Sequence, residues 1–134
     1  APASEATSTL NPASDDDVVV NTPTDYGNSY PVGQCTWGVK ELAPWASNWW
    51  GNANTWAIYA SAQGYRVGDV PVVGAIAVWD GGEYGHVAYV TDVQSENSIQ
   101  VLEANYRRQK QIANYRGYFN PNEFLGRVTY IYPN

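Results

Sequence analysis

The sequence predicts an α+β domain in which N-terminal helices pack on an antiparallel β-sheet. Two observations predict it. Residues 35–62 hold apolar positions at helical spacing, and from residue 75 the pattern changes to short apolar runs separated by turn residues. Helices come first, strands follow, and the chain has no internal repeat.

Residues 1–25 are rich in Ala, Ser, Thr, Pro and Asp, with an Asp15-Asp16-Asp17 run and little apolar periodicity. That composition holds too little apolar surface to offset the entropy of ordering, so a disordered linker is expected there. The acidic run reads as solvated chain. The folded domain is expected over 26–134. Over 35–43, Val39, Leu42 and Ala43 share a helical face, and Pro44 ends the helix. A Trp-rich connection, 45–50, leads to a second helix over 53–62, with Asn52 or Asn54 as its cap and Gly64 as its end. Strands are expected over 75–79, 86–93, 98–105, 114–119 and 128–132. The turns Asp80-Gly81-Gly82 and Ser95-Glu96-Asn97 separate the first three, and the strands are expected to follow one another as a meander. Residues 120–124 read as a turn with one helical turn.

With 134 residues and 44% hydrophobic composition, the chain can build one core. Its net charge of −6 argues against a nucleic-acid surface, which needs a basic patch. It contains no apolar run long enough for a transmembrane helix. It shows neither an initiator Met nor a signal peptide, so a processed or trimmed chain is expected, with something before the linker. Six Trp and eleven Tyr read either as core fillers or as an aromatic groove offered to a polymer. A single Cys excludes an internal disulfide, and one Cys with one His excludes a structural zinc cluster.

That lone pair is the raw material of a thiol-dependent hydrolase. Cys35 sits at a helix start, where the positive helix end favours the thiolate, the nucleophilic form. His86 opens a strand whose apolar face continues through Ala88 and Val90. Glu103 and Asn105 end another strand, on the face of Ile99 and Val101. Pairing of the two strands brings His86 near Glu103 or Asn105. His86 then handles the thiol proton and returns a proton to the leaving amine, while Glu103 fixes the imidazole. The backbone N–H of Cys35 and the amide of Gln34 are the expected oxyanion donors.

Four separated segments carry a family resemblance: Tyr30-Pro31-Val32-Gly33-Gln34-Cys35-Thr36-Trp37, then Gly74 to Trp79, Gly85 to Val90, and Glu103-Ala104-Asn105-Tyr106. In order, spacing and flanking residues they resemble CHAP domains (cysteine, histidine-dependent amidohydrolase/peptidase). The resemblance is nearest to the C-terminal CHAP domains of secreted streptococcal cell-wall hydrolases of the cell-separation type, and it runs from about residue 26 to residue 134. It implies a papain-like (NlpC/P60-type) fold and cleavage of an amide bond in peptidoglycan. The cut falls either at N-acetylmuramoyl-L-alanine or within the stem or cross-bridge peptide. By motif, Cys35 is the nucleophile, His86 the base and Glu103 the orienting acid. Asn105 takes the family's fourth polar position, and Gln34 the oxyanion position. Trp37, Trp79 and Tyr106 are the expected substrate-binding residues. Some phage CHAP domains bind calcium through several Asp residues before the Cys; here only Asp25 stands there, so no metal or cofactor is expected. The resemblance also implies a secreted or wall-associated protein, with room for a regulatory protein partner acting through the region before residue 1. The rival readings are a latent or non-catalytic wall-binding module using the Trp-rich groove, and a transglutaminase-like acyl transfer.

Overall fold

The computed structural model describes residues 27–134. The expected linker, its Asp run and Asp25 lie outside the described residues. The two expected helices are present. Helix α1 spans Cys35–Leu42 and stops before Pro44. Its buried Lys40 ties down the end by donating to Pro44 O at 2.9 Å and to Ala46 O. The second helix opens as a 3-10 turn, Ala53–Thr55, and continues as α2, Trp56–Ala62. Asn52 holds the cap position of that turn but makes no side-chain cap bond. The hydroxyl of Thr55 donates instead to Trp50 O at 2.7 Å and Asn52 O at 2.9 Å.

The strands are β1 Val67–Gly68, β2 Ile76–Trp79, β3 His86–Ser95, β4 Ser98–Leu102 and β5 Val128–Ile131. They form one antiparallel sheet in the order β1-β5-β2-β3-β4. The expected meander therefore covers β2, β3 and β4 only. The chain returns to lay β5 on the other flank of β2, with Ile76 opposite both Tyr89 and Ile131. Strand β1, too short to leave a periodic signature, pairs at the edge with β5.

The strand expected over 114–119 is absent. Only two isolated bridges join this region to the sheet side, Glu103 with Ala113 and Ile99 with Phe119. Between them the backbone turns: Asn114 Oδ1 accepts from Gly117 N at 2.9 Å, and Gly117 has φ of 64°. Residues after β4 thereby cross over one face of the sheet instead of extending it.

Both faces of the sheet are consequently buried. On one face Ile76, Val78, Val87 and Ile131 pack with Val39 of α1, Ala43 just after it, and Trp56 and Ala60 of α2. On the other, Ala77, Trp79, Ala88, Val90, Ile99, Val101 and Tyr130 meet Phe119, Phe124 and Leu125 of the crossing segment. Central β2 is buried at every position, which is why its sequence is continuously apolar rather than alternating.

The aromatic residues answer the choice left open by composition. Trp50, Trp56 and Trp79 are wholly buried, Trp37 and Trp45 are partly buried against the helix-side core, and Trp49 is exposed. The six Trp therefore do not together line a groove. Trp50, Trp56 and Trp79 are core fillers whose indole N–H groups find acceptors, as in Trp50 Nε1 to Gln63 Oε1 at 2.9 Å.

Candidate active site

Cys35 is the first residue of α1, with Gln34 before it in extended conformation at the cap position. A first-turn amide has no partner within its own helix, so the Cys35 N–H belongs to the set of free helix-end donors. Helix α1 is held against the sheet by a close approach at Gly38. A Cβ there would stand 2.9 Å from Ala104 Cβ. This contact ties the helix that carries Cys35 to the residue next to Glu103.

His86 is the first residue of β3 and is almost fully buried, at 7% exposure. Gly85 precedes it at φ of 74°, where a Cβ would collide with Trp79 O at 2.6 Å and Asn54 N at 2.7 Å. Only glycine permits the turn that starts β3 at this point. The imidazole lies 5.9 Å from the Trp79 ring and 5.7 Å, edge to face, from Phe124.

His86 Nε2 meets Glu103 Oε1 at 2.8 Å. Cys35 acts on the same imidazole and, like Glu103, favours its charged form. With Nε2 taken by the carboxylate, Nδ1 is the ring nitrogen left for sulfur. Burial disfavours a charged ring, but the hydrogen bonds and charges of Cys35 and Glu103 outweigh it and raise the His86 pKa to about 9. The ring is therefore an imidazolium at neutral pH.

Glu103 has no exposed surface. It is held by a residue that sequence reasoning did not single out. Arg116 Nε donates to Glu103 Oε2 at 2.9 Å, and Arg116 Nη2 donates to Oε1 at 2.6 Å. Burial alone would raise the carboxyl pKa; the bonds from Arg116 and His86 outweigh it and hold the group below the usual carboxylate range. The guanidinium is itself enclosed by rings, with Phe124, Phe119 and Tyr106 centroids at 4.0, 4.1 and 4.3 Å. An arginine within the strand expected over 114–119 reads as surface charge, and the only local hint is the density of aromatic residues around it.

Asn105 does not share the position of Glu103. Strand β4 ends at Leu102, and Asn105 lies in the left-handed region at φ of 57°, so the expected strand face does not extend to it. Its Nδ2 donates to Gln34 Oε1 at 3.0 Å, on the side of Cys35. The expected substrate-binding residues divide. Trp79 is corrected: it is wholly buried, and its Nε1 donates to Pro121 O at 2.8 Å, so it supports His86 and Arg116 from below and offers no ring to a ligand. Trp37 is partly buried against the helix-side core. Tyr106 stacks on Tyr115 at 6.0 Å and lines an open cleft of about 460 Å³ with Arg107, Glu123 and Phe124. Among the described residues no group of three or more His, Cys, Asp or Glu side chains is placed to hold a metal. Nor is any helix among them long and apolar enough to cross a membrane.

Comparison with known proteins agrees with this arrangement. The family model of the CHAP domain matches residues 25–105. A Streptococcus mutans serotype c protein named "Putative hydrolase" is 60% identical over 109 residues, covering 80% of this chain and 52% of that one. The N-acetylmuramoyl-L-alanine amidase sle1 of Staphylococcus haemolyticus is 43% identical over 96 residues, covering 69% of this chain and 29% of that one. The chain thus spans about half or less of the length of these curated relatives. The crystal structure of an N-acetylmuramoyl-L-alanine amidase from Staphylococcus aureus superposes with a TM-score of 0.64 at 30% identity, over 76% of this chain and 31% of that one. A helix-borne thiol, a strand-borne imidazole and an antiparallel sheet between two cores accord with a papain-like α+β fold, and with the match over residues 25–105 they show that the chain belongs to the CHAP domain family.

Proposed function

We propose that this domain hydrolyses an amide bond in the peptide part of peptidoglycan, by attack of a Cys35 thiolate and through a thioester. The observation that carries the reading is the single imidazole of His86, bound to Glu103 Oε1 at 2.8 Å and held in its charged form by Glu103 and Cys35. The names of the amidase relatives support the substrate class.

The charged ring stands ready as the acid. Sγ attacks the carbonyl carbon, and the oxyanion is received by the N–H of Cys35 and the amide of Gln34. As the C–N bond breaks, the imidazolium gives its proton to the leaving amine. The neutral ring then takes a proton from water, whose oxygen adds to the thioester and releases the acid and the thiolate. Glu103, kept ionised by Arg116, balances the imidazolium at the start and end of the cycle. We assign the protein to the outside of the cell, at the wall, with a role in wall remodelling or cell separation.

Zymography on purified cell walls tests the reading. The wild type is expected to clear them, with Cys35→Ala and His86→Ala each inactive and still folded. Clearing by Cys35→Ala would sink the thiol mechanism. Mass spectrometry of the released muropeptides then names the bond cut, and incorporation of an added amine would reveal acyl transfer instead.

A further inference from the structure

The amide of Asn105 stands between Gln34 and Lys110. Its Nδ2 donates to Gln34 Oε1 at 3.0 Å, and its Oδ1 accepts from Lys110 Nζ at 2.8 Å. The ammonium decides the direction of both bonds. A lysine has donors and no acceptor, so it can face only the oxygen of Asn105. The nitrogen of Asn105 must then face Gln34, and a donor in that place requires the oxygen of Gln34. The two ends of an amide have nearly the same shape and exchange by a simple flip. Here one charged group fixes the sense of two amides in series. The end of Gln34 left over is Nε2, a donor, on the residue before Cys35. Gln34 occupies the cap position of α1 without capping it, so its side chain is committed to this contact rather than to the helix.

The turn that carries Asn105 and Lys110 holds an unfavourable backbone. Asn105, Arg107 and Arg108 have φ of 57°, 51° and 69°, and they are the non-glycine residues at positive φ among those described. Such a conformation persists where surrounding contacts enforce it, and it gathers at functional sites. The turn closes with Gln109 N donating to Tyr106 O at 3.0 Å. It reaches the nucleophile's loop twice. Asn105 meets Gln34, and the stem of Lys110 lies over Gly33, with Lys110 Cβ 3.1 Å from the place a Gly33 Cβ would take.

We propose that Lys110, acting through Asn105, is a positioning residue of the oxyanion hole, locking the Gln34 amide with Nε2 toward the substrate carbonyl oxygen. This rests on the reading of Cys35 as an acyl-transfer nucleophile. The lock matters because a flipped amide would set Oε1, an acceptor, against a developing negative charge. Lys110 lies beyond the residues 25–105 that the family model matches.

The test uses the full chain and two small reagents for Cys35. p-Nitrophenyl acetate acylates the thiolate through an oxyanion and releases p-nitrophenolate. Iodoacetamide alkylates it by displacing iodide from a saturated carbon, with no oxyanion. The ratio of the two rate constants reads the hole alone. Asn105→Asp replaces the donor by an acceptor: the carboxylate keeps Lys110, draws the N–H of Gln34 and turns that amide over. The ratio is expected to fall by roughly 10- to 100-fold, the scale of losing an oxyanion donor. Asn105→Ala and Lys110→Met, which merely release Gln34, should lower it less. A purely structural turn gives the opposite order, with the near-isosteric Asp mild, Ala worse and both reactions slowed together. That order, or an unchanged ratio in Asn105→Asp, overturns the proposal. Should Asn105→Asp fail to fold, Lys110→Met at its exposed site decides, and an unchanged ratio there overturns it equally. A wild type that is alkylated but never acylated removes the acyl-transfer reading, and the proposal with it.

Discussion

His86 keeps its proton past neutrality because two partners outweigh its burial, and Glu103 is one of them. Glu103→Gln removes the charge while keeping the shape, so the His86 pKa should fall from about 9. In a pH–rate profile the alkaline limb should move to lower pH, with activity reduced less than in Cys35→Ala. A limb that stays in place would show that Glu103 does not set the ring's charge. The same linkage acts on stability. A folded pKa above the unfolded value near 6.5 contributes stability that is complete below that value and is lost as pH rises through about 9. Arg116 acts one step back, holding Glu103 ionised. Removing one partner of a buried pair strands the other charge, so Arg116→Met should cost roughly 3–5 kcal/mol by urea denaturation. Arg116→Lys, which keeps the charge but loses the two-pronged geometry, should fall between. Cys35, His86 and Glu103 were legible in the sequence because the first two are unique in the chain and all three stand where the apolar pattern turns polar. Arg116 was not, because its partner lies thirteen residues away across a stretch with no regular structure.

At the scale of elements, what sets the site is the approach of α1 to the end of β4. Gly38 permits it, with no room for a side chain against Ala104. Gly38→Val should therefore destabilise the fold by about 1–3 kcal/mol, the usual range for overpacking. It should also slow alkylation of Cys35 by iodoacetamide by displacing the thiol from His86; a variant with wild-type alkylation would show that the helix has other room to shift. The helices were readable from their period, and four of the five strands from short apolar runs bounded by turn residues. The return of β5 to the far flank of β2 was not, since period says which residues face inward but not which strand lies beside which. The supposed strand over 114–119 failed for a related reason. Its Tyr and Phe looked like strand residues, yet Arg116 is drawn inward to Glu103 and a turn at Gly117 breaks the ladder.

Across the whole molecule, the sheet divides two cores. The aromatic residues belong mostly to them. Trp79→Ala should cost about 3–5 kcal/mol in chemical denaturation, as a large buried ring, whereas exposed Trp49→Ala should stay within about 0.5 kcal/mol. A similar cost at both positions would contradict this division. Cys35 and His86 belong to different sides of the partition: Cys35 packs with the helix-side core, while His86 lies against Trp79 and Phe124 of the opposite one. Both cores share the one sheet, so the separation of sulfur and ring is set at the joint where α1 seats on β3. A slight slide of the helix on the sheet would part sulfur from ring while the strands stayed paired. Rising urea should silence the thiol before the far-ultraviolet signal of the sheet changes, so reactivity would report the loosening of the joint ahead of the collapse of the parts.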